Sequence, residues 1–380
     1  MGGIGEIMIN RYDPHHFTLI CELFSACNLH CKFCFKNTEN PDLDINYDYI
    51  AKTLPEDIRR ELLPEFVERK VDTLLFNIFG GEILMDELSD EFFDSYRELR
   101  KSVGDMIQEV LPDCTIYCNI SSNAIFKKKE RVLKLLEDLD AKINISYDPH
   151  GRYTSQDQFD QVKENVEFFR QAQRLNLIVL TPTRPTIQTL MANPSKYIDW
   201  LPKDIVLDLS YYLPMNNDND VLAPSDDELA IFFKWCIDNR LFNVGEINGF
   251  FVEYIDPSRE IHSYCHDARI ATKVGDKSLF SHCCHGMITN FYLKGEEEYY
   301  GENYKLLKEA KEDKRLIGRR LRNCLLCEYE DRCPGMCFST VMWHGSKLSK
   351  CPIKVAFEYI SEHPEIVEEF KKSNAGELKR

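Results

Sequence analysis

Between about residue 17 and residue 215, short β-rich runs alternate six times with longer amphipathic stretches, and this alternation leaves the chain few folds to choose from. The runs are Phe17 to Phe24, Thr73 to Phe79, Thr115 to Ser121, Lys142 to Tyr147, Leu177 to Thr181 and Ile205 to Tyr212. Helical periodicity separates them at Pro55 to Arg69, Glu87 to Leu111, Lys127 to Leu139, Gln156 to Arg174 and Ser195 to Leu201. Strand, helix and strand in succession imply parallel pairing through right-handed crossovers. Six such units predict an α/β fold built as an open, partial β/α barrel, with its chemistry on loops at the C-terminal ends of the strands.

The first of those loops carries Cys27-Asn28-Leu29-His30-Cys31-Lys32-Phe33-Cys34, a C-x3-C-x2-C spacing. A 4Fe-4S cluster has four irons and normally takes four thiolates, so three close cysteines without a nearby fourth leave one iron open to another ligand. Structural zinc wants four closed ligands and usually shows a paired C-x2-C or a His pair at short range. Neither follows here. A second dense group, Cys324-x2-Cys327-x5-Cys333-x3-Cys337 followed by Cys351, lies at the other end of the chain and in isolation would suit a zinc knuckle. Cys21, Cys114, Cys118 and Cys236 lie in or beside apolar segments and read as small hydrophobes.

Composition narrows the class further. A formal net charge of -16 disfavours a nucleic-acid or anionic-membrane partner, because phosphate binding depends on Lys and Arg releasing counterions. The N-terminus MGGIGEIMINRYD has no apolar core of signal-peptide length, and no apolar run approaches the ~20 residues of a membrane span, so the expected location is the cytoplasm. Fifteen cysteines in 380 residues fall below the density of a disulfide scaffold, and clustered thiols in a reducing compartment suggest metal.

Organisation beyond the barrel is expected as follows: an N-terminal arm over 1–16, the barrel over 17–215, and a linker with a helix near Asp226 to Asn239 over 216–260. A Cys-, His- and Gly-rich domain follows over 261–352, with a helix around Asn303 to Arg315, and a closing helix over 353–380.

With Phe33 just before the third cysteine, the C-x3-C-x2-C loop resembles the signature of the radical S-adenosylmethionine (SAM) superfamily. The run Gly80-Gly81-Glu82 after the second strand is similar to that superfamily's GGE motif, which binds the SAM amino group; two glycines let backbone approach a ligand closely and the Glu supplies a carboxylate. The superfamily often has Pro next, where this chain has Ile83. Ser122 and Asn123 at the third strand end, and Ser146 with Asp148 and Arg152 after the fourth, resemble positions facing the ribose and methionine of SAM. Thr181 and Thr183 occupy the corresponding fifth-strand end. Polar residues at strand ends are also ordinary turn-formers.

The C-terminal run resembles the SPASM domain, an extension of radical SAM enzymes that carries two auxiliary 4Fe-4S clusters. The resemblance implies one auxiliary cluster on Cys324, Cys327, Cys333 and Cys351, and another on Cys265, one of Cys283 and Cys284, and Cys337. The nearest Gly upstream of that pair, Gly275, stands eight residues before Cys283 where the family usually spaces it at five, which leaves this cluster's fourth ligand open. His262, His266, His282 and His285 flank these cysteines, and His30 lies in the first loop; each suits a polar surface, a ligand to iron or a hydrogen bond to a cluster sulfur.

The resemblance implies reductive cleavage of SAM to a 5'-deoxyadenosyl radical that takes hydrogen from an unactivated C-H, with the protein's task one of positioning. SPASM enzymes most often modify peptides, so a peptide-modifying oxidoreductase of ribosomal-product (RiPP) maturation is expected, forming a crosslink or oxidising a residue. Only 26 residues precede Cys27, too few for the fused leader-recognition domain of many such enzymes, so leader binding is expected on a separate protein or on a different surface, with an electron donor such as flavodoxin or ferredoxin. The alternatives are oxidation of a small molecule and sulfatase-maturase-like protein oxidation. Against the latter, an acidic residue follows the cysteine that Cys283 or Cys284 would match, and here Cys284 and His285 follow. A zinc-bound interaction module is the non-enzymatic alternative.

Overall fold

The computed structural model describes residues 15–34, 46–212, 221–256, 268–274, 276–282, 324–329, 333 and 351–373. Strands β1 (His16–Glu22), β2 (Thr73–Phe79), β3 (Thr115–Ser122), β4 (Ala141–Ser146), β5 (Leu175–Leu180) and β6 (Val206–Leu209) pair in sequence order, and every pair is parallel. The connections are α1 (Leu54–Glu61), α2 (Leu63–Glu68), α3 (Asp90–Val110), α4 (Lys129–Asp138), α5 (Gln156–Gln171), α6 (Arg184–Ala192) and α7 (Pro194–Tyr197). This is the expected α/β architecture. Along β2, Leu74, Phe76 and Ile78 are fully buried while Thr73, Leu75, Asn77 and Phe79 are half-buried, so both faces of the strand are covered to different depths. Near-continuous apolar strands follow from parallel pairing under crossover helices.

Helix starts follow the sequence closely because short polar side chains satisfy the first free N–H groups. Ser89 accepts from Phe92 N at the head of α3, Ser155 from Gln158 N at α5 and Thr183 from Thr186 N at α6. Helix α8 (Asp226–Asp238) opens with a full capping box between Ser225 and Glu228. Helix α6, and α9 (Gly245–Ile255), are additions to the sequence reading, and the expected helix over Pro55 to Arg69 divides into α1 and α2, preceded by a π-helical turn at Tyr49–Thr53.

The sheet also runs on past β1. Strand β7 (Ala268–Val274) pairs parallel with β1 and β8 (Lys277–His282) pairs antiparallel with β7, giving the order β6-β5-β4-β3-β2-β1-β7-β8. The hairpin therefore extends the barrel sheet from within the Cys-rich segment. It is fastened by Ser278 N donating to Asp57 Oδ2 (2.7 Å) and by an ion pair between Arg269 and Glu65 (2.8 Å). At the opposite edge, Leu207 N donates to Asn243 O (2.9 Å) and Leu209 N to Glu246 Oε2 (3.2 Å), closing β6 against the α8–α9 segment.

The tail is two helices where the sequence suggests one. Pro364 disfavours helical backbone at His363, which separates α10 (Pro352–Glu362) from α11 (Pro364–Ser373). Phe370 stacks on Phe251 at 4.7 Å and Phe357 meets Phe250 at 5.8 Å, so both helices close over α9. Among the described residues no helix is long and apolar enough to cross a membrane.

Two buried thiols in this sheet lead to a pH dependence. Burial pushes the Cys118 thiol up to about 12 from an ordinary 9.0, and Cys21 higher still. The folded chain holds these protons more tightly than the unfolded chain, so the associated stability is complete below about pH 9 and is lost as pH rises towards about 12. Thermal melting should hold steady up to about pH 9 and fall above it, and Cys118→Ala should flatten that fall. A melting temperature equally steep in pH for both proteins would show that Cys118 does not titrate on unfolding.

Candidate metal centre

All the elements of the candidate site meet at the C-terminal ends of β1 to β5. Leaving β1, the chain stays paired with the chain leaving β2: Leu23 N donates to Phe79 O (2.9 Å), Gly81 N to Phe24 O (2.8 Å) and Glu82 N to Ala26 O (2.8 Å). A Cβ added to Gly81 would stand 1.9 Å from Ala26 O, and one added to Gly80 would stand 2.9 Å from Phe24 O. The close approach that these glycines permit is thus to the base of the chain's own cysteine loop.

Glu82 is fully buried. Its Oε1 accepts from Ser122 Oγ (2.8 Å) and Leu84 N (3.0 Å), and its Oε2 accepts from Asn123 N (2.6 Å). Burial pushes its carboxyl above the ordinary range, against the pull of these three donors and of Arg152. Ser122 Oγ in turn accepts from Ala124 N (2.9 Å). The Asn123 amide donates from Nδ2 to Asn28 Oδ1 (2.7 Å) and accepts at Oδ1 from Ile125 N (2.8 Å), while Asn28 Nδ2 donates to Ile125 O (2.9 Å). The polar side chains expected at SAM are therefore engaged with one another and with the cysteine loop.

Within the loop, Leu29 N donates to Cys27 Sγ (3.4 Å), Asn123 Nδ2 lies 3.9 Å from the same sulfur, and Cys34 N donates to Cys31 O (3.0 Å). Cys27, Cys31 and Cys34 are each half-buried. Burial pushes the Cys27 thiol up to about 12 and Cys31 up to about 11, with Arg152 pulling the latter back down.

Past β4, which ends at half-buried Ser146, the fully buried Asp148 accepts at Oδ2 from Arg152 Nε (2.8 Å) and Nη2 (2.6 Å), and at Oδ1 from Thr181 N (2.7 Å). The Arg152 guanidinium stands 5.2 Å from the centre of the Phe33 ring, a cation–π contact. Gly151, at φ +90, brings the β4 loop under that ring. Thr183 is a helix cap, as its bond from Thr186 N requires.

Among the described residues, no three Cys, His, Asp or Glu side chains converge closely enough to hold one metal ion. Each thiolate of a cluster binds a different iron, whereas the ligands of zinc meet at one point. At the other end, Cys324 and Cys327 lie on a short turn closed by Cys327 N donating to Cys324 O (2.9 Å), and Cys351 precedes α10 directly. Tyr329 stacks on Phe357 (5.3 Å) and Lys354 pairs with Glu328 (3.1 Å), which seats that turn against α10. Cys333 packs against the same core. His30 is exposed and His282 ends β8. Cys265, Cys283, Cys284, Cys337, His262, His266, His285 and the helix expected at Asn303 to Arg315 lie outside the described residues.

Asn28 and Asn165 are additions to the sequence reading. Nothing in the sequence links Asn28 to a residue 95 positions away, or Asn165, inside α5, to the carbonyls of Ala124 (2.8 Å) and Phe126 (2.9 Å) that it binds.

Among solved structures, the fold matches native anSMEcpe with bound AdoMet and Cp18Cys peptide at a TM-score of 0.59, with 16% sequence identity over 94% of this chain and 99% of that one. It matches native anSMEcpe with bound AdoMet at 0.57 and 15% identity over the same shares. Streptococcus suis SuiB bound to precursor peptide SuiA aligns at a TM-score of 0.47, with 15% identity over 85% of this chain and 72% of that one. No family model matches the chain, and no curated protein matches it in sequence. The chain shares its fold with the first of these structures over 94% of its length.

Proposed function

We propose that this chain is a radical SAM enzyme that modifies a peptide by removing hydrogen from an unactivated C-H. One observation carries the reading: a three-cysteine loop at the C-terminal edge of a parallel partial barrel, bonded to a GGE turn on one side and to the β3 and β4 exits on the other. Cys27, Cys31 and Cys34 would hold a SAM-binding 4Fe-4S cluster, and Cys324, Cys327, Cys333 and Cys351 an auxiliary one. A further auxiliary cluster would take Cys265, Cys337 and one of Cys283 and Cys284. When bound, the first cluster supplies the electron that splits SAM.

The chain's own residues position and enclose. Gly80, Gly81 and Glu82 fix the base of the cysteine loop, and Ser122, Asn123 and Ser146 shape the strand ends around it. Arg152 spends Nε and Nη2 on Asp148, which leaves Nη1 to receive a carboxylate beside Phe33. A peptide substrate is supported by the fold shared with anSMEcpe, whose structure holds AdoMet and a peptide. Crosslinking or oxidation of the peptide, a separate leader-recognition protein, and flavodoxin or ferredoxin as donor complete the proposal, with the protein acting in the cytoplasm.

Anaerobic incubation of the iron-loaded protein with SAM, dithionite and candidate peptides tests it. The expected result is 5'-deoxyadenosine together with a peptide lighter by two hydrogen atoms in the mass spectrum. A colourless, zinc-loaded protein that makes no 5'-deoxyadenosine would overturn it.

A further inference from the structure

We infer that Asn123 is a positioning residue for Cys27, its side-chain amide reaching from the exit of β3 to clamp the cysteine loop through Asn28 and the Cys27 sulfur. The inference rests on the reading that this loop holds the SAM-binding cluster. Asn123 is 4% exposed, and its backbone N and both polar atoms of its side chain are directed: the N to Glu82, Oδ1 to Ile125 N, and Nδ2 into the gap between Asn28 Oδ1 and Cys27 Sγ. A turn-forming Asn needs only the bond from Oδ1 to the backbone two residues on. The Nδ2 bond is a separate feature, because it crosses to another strand's loop and Asn28 answers it with a bond to Ile125 O.

The turn that aims this amide is over-determined. Ala124, next in the chain, sits at φ +57, a conformation that a side chain with a Cβ seldom adopts. It is held there by Ser122 Oγ, which accepts from its N–H, and by Asn165 Nδ2, which donates to its carbonyl. Strained backbone fixed from two sides occurs where direction matters. Here the direction delivers an N–H to a sulfur that already receives one from Leu29 N. Such donors draw electron density from a ligating sulfur and raise the potential of the iron it binds.

The test uses the full-length chain and compares Asn123→Leu with the native protein. Leu keeps the volume and removes every polar contact of the amide. In the iron-free protein, alkylation by iodoacetamide is followed at Cys27, Cys31 and Cys34 separately by mass spectrometry. Asn123→Leu should lower the Cys27 rate relative to the other two about fivefold, because the reacting thiolate loses one N–H donor. A purely structural loss would speed all three thiols together and would overturn the clamp, as would an unchanged ratio.

In the iron-loaded protein, the cluster whose electron paramagnetic resonance signal responds to SAM should titrate at a lower potential in Asn123→Leu with iron content unchanged. An equal potential in the two proteins would also overturn the clamp. A selective Cys27 response in a protein whose loop binds no iron would instead leave the clamp standing and remove the cluster reading.

Discussion

Replacing Cys27, Cys31 and Cys34 together with Ala is expected to abolish 5'-deoxyadenosine formation while iron held by the C-terminal cysteines stays bound. The triple variant should fold, because the loop is held by groups other than its thiols. Its base pairs through Gly81 N and Glu82 N, and its first turn is tied by Asn28 to the β3 exit. Loss of one 4Fe-4S cluster corresponds to about four irons per chain, a quantity that colorimetric iron analysis resolves. Retained SAM cleavage would place the reactive cluster elsewhere, and loss of all iron would mean that the cysteine groups are not independent.

Gly81→Val is expected to remove the same cluster by a different route. The new Cβ would stand 1.9 Å from Ala26 O, 2.5 Å from Ala26 C and 2.5 Å from Ser25 O, all backbone atoms with nowhere to rotate. Overpacking a closed site of this kind costs more than about 3 kcal/mol, and the strain falls on the segment that leads directly into Cys27. The sequence suggests that Gly81 makes room for a ligand, in which case a valine would weaken SAM binding and leave iron in place. The packing predicts instead that iron at Cys27, Cys31 and Cys34 is lost, together with thermal stability. Iron analysis and melting curves separate these outcomes. Full iron loading with an unchanged melting temperature would show that the β1 and β2 exits tolerate separation.

How much of this was legible beforehand varies by element. The six parallel strands were readable because each is an apolar run bracketed by turn residues, and Thr73–Phe79 falls where its β-branched and aromatic content puts it. Caps such as Ser89, Ser155 and Ser225 are local in the same sense, since each short polar side chain acts on its own next turn. The hairpin β7–β8 was hidden in a segment read for its cysteines and histidines, and its pairing with β1 joins residues about 250 positions apart. Helix α9 was missed because its apolar residues lie on several faces, as suits a helix covered by β6, α10 and α11.

For the site, residue type and position were legible, and connection was not. That three cysteines in C-x3-C-x2-C sit after the first strand, that a Gly-Gly-Glu follows the second, and that polar residues end the third and fourth are local facts which the sequence alone determines. Each depends on neighbours within a turn. What those groups do for one another was decided only in three dimensions: Glu82 gathers Ser122 and Asn123, Asn123 reaches Asn28 and Cys27, and Asp148 turns Arg152 onto Phe33. The physical reason is that a buried carboxylate or amide must find donors and acceptors wherever the fold brings them. Parallel strands bring together loops that are 40 to 95 residues apart in the chain.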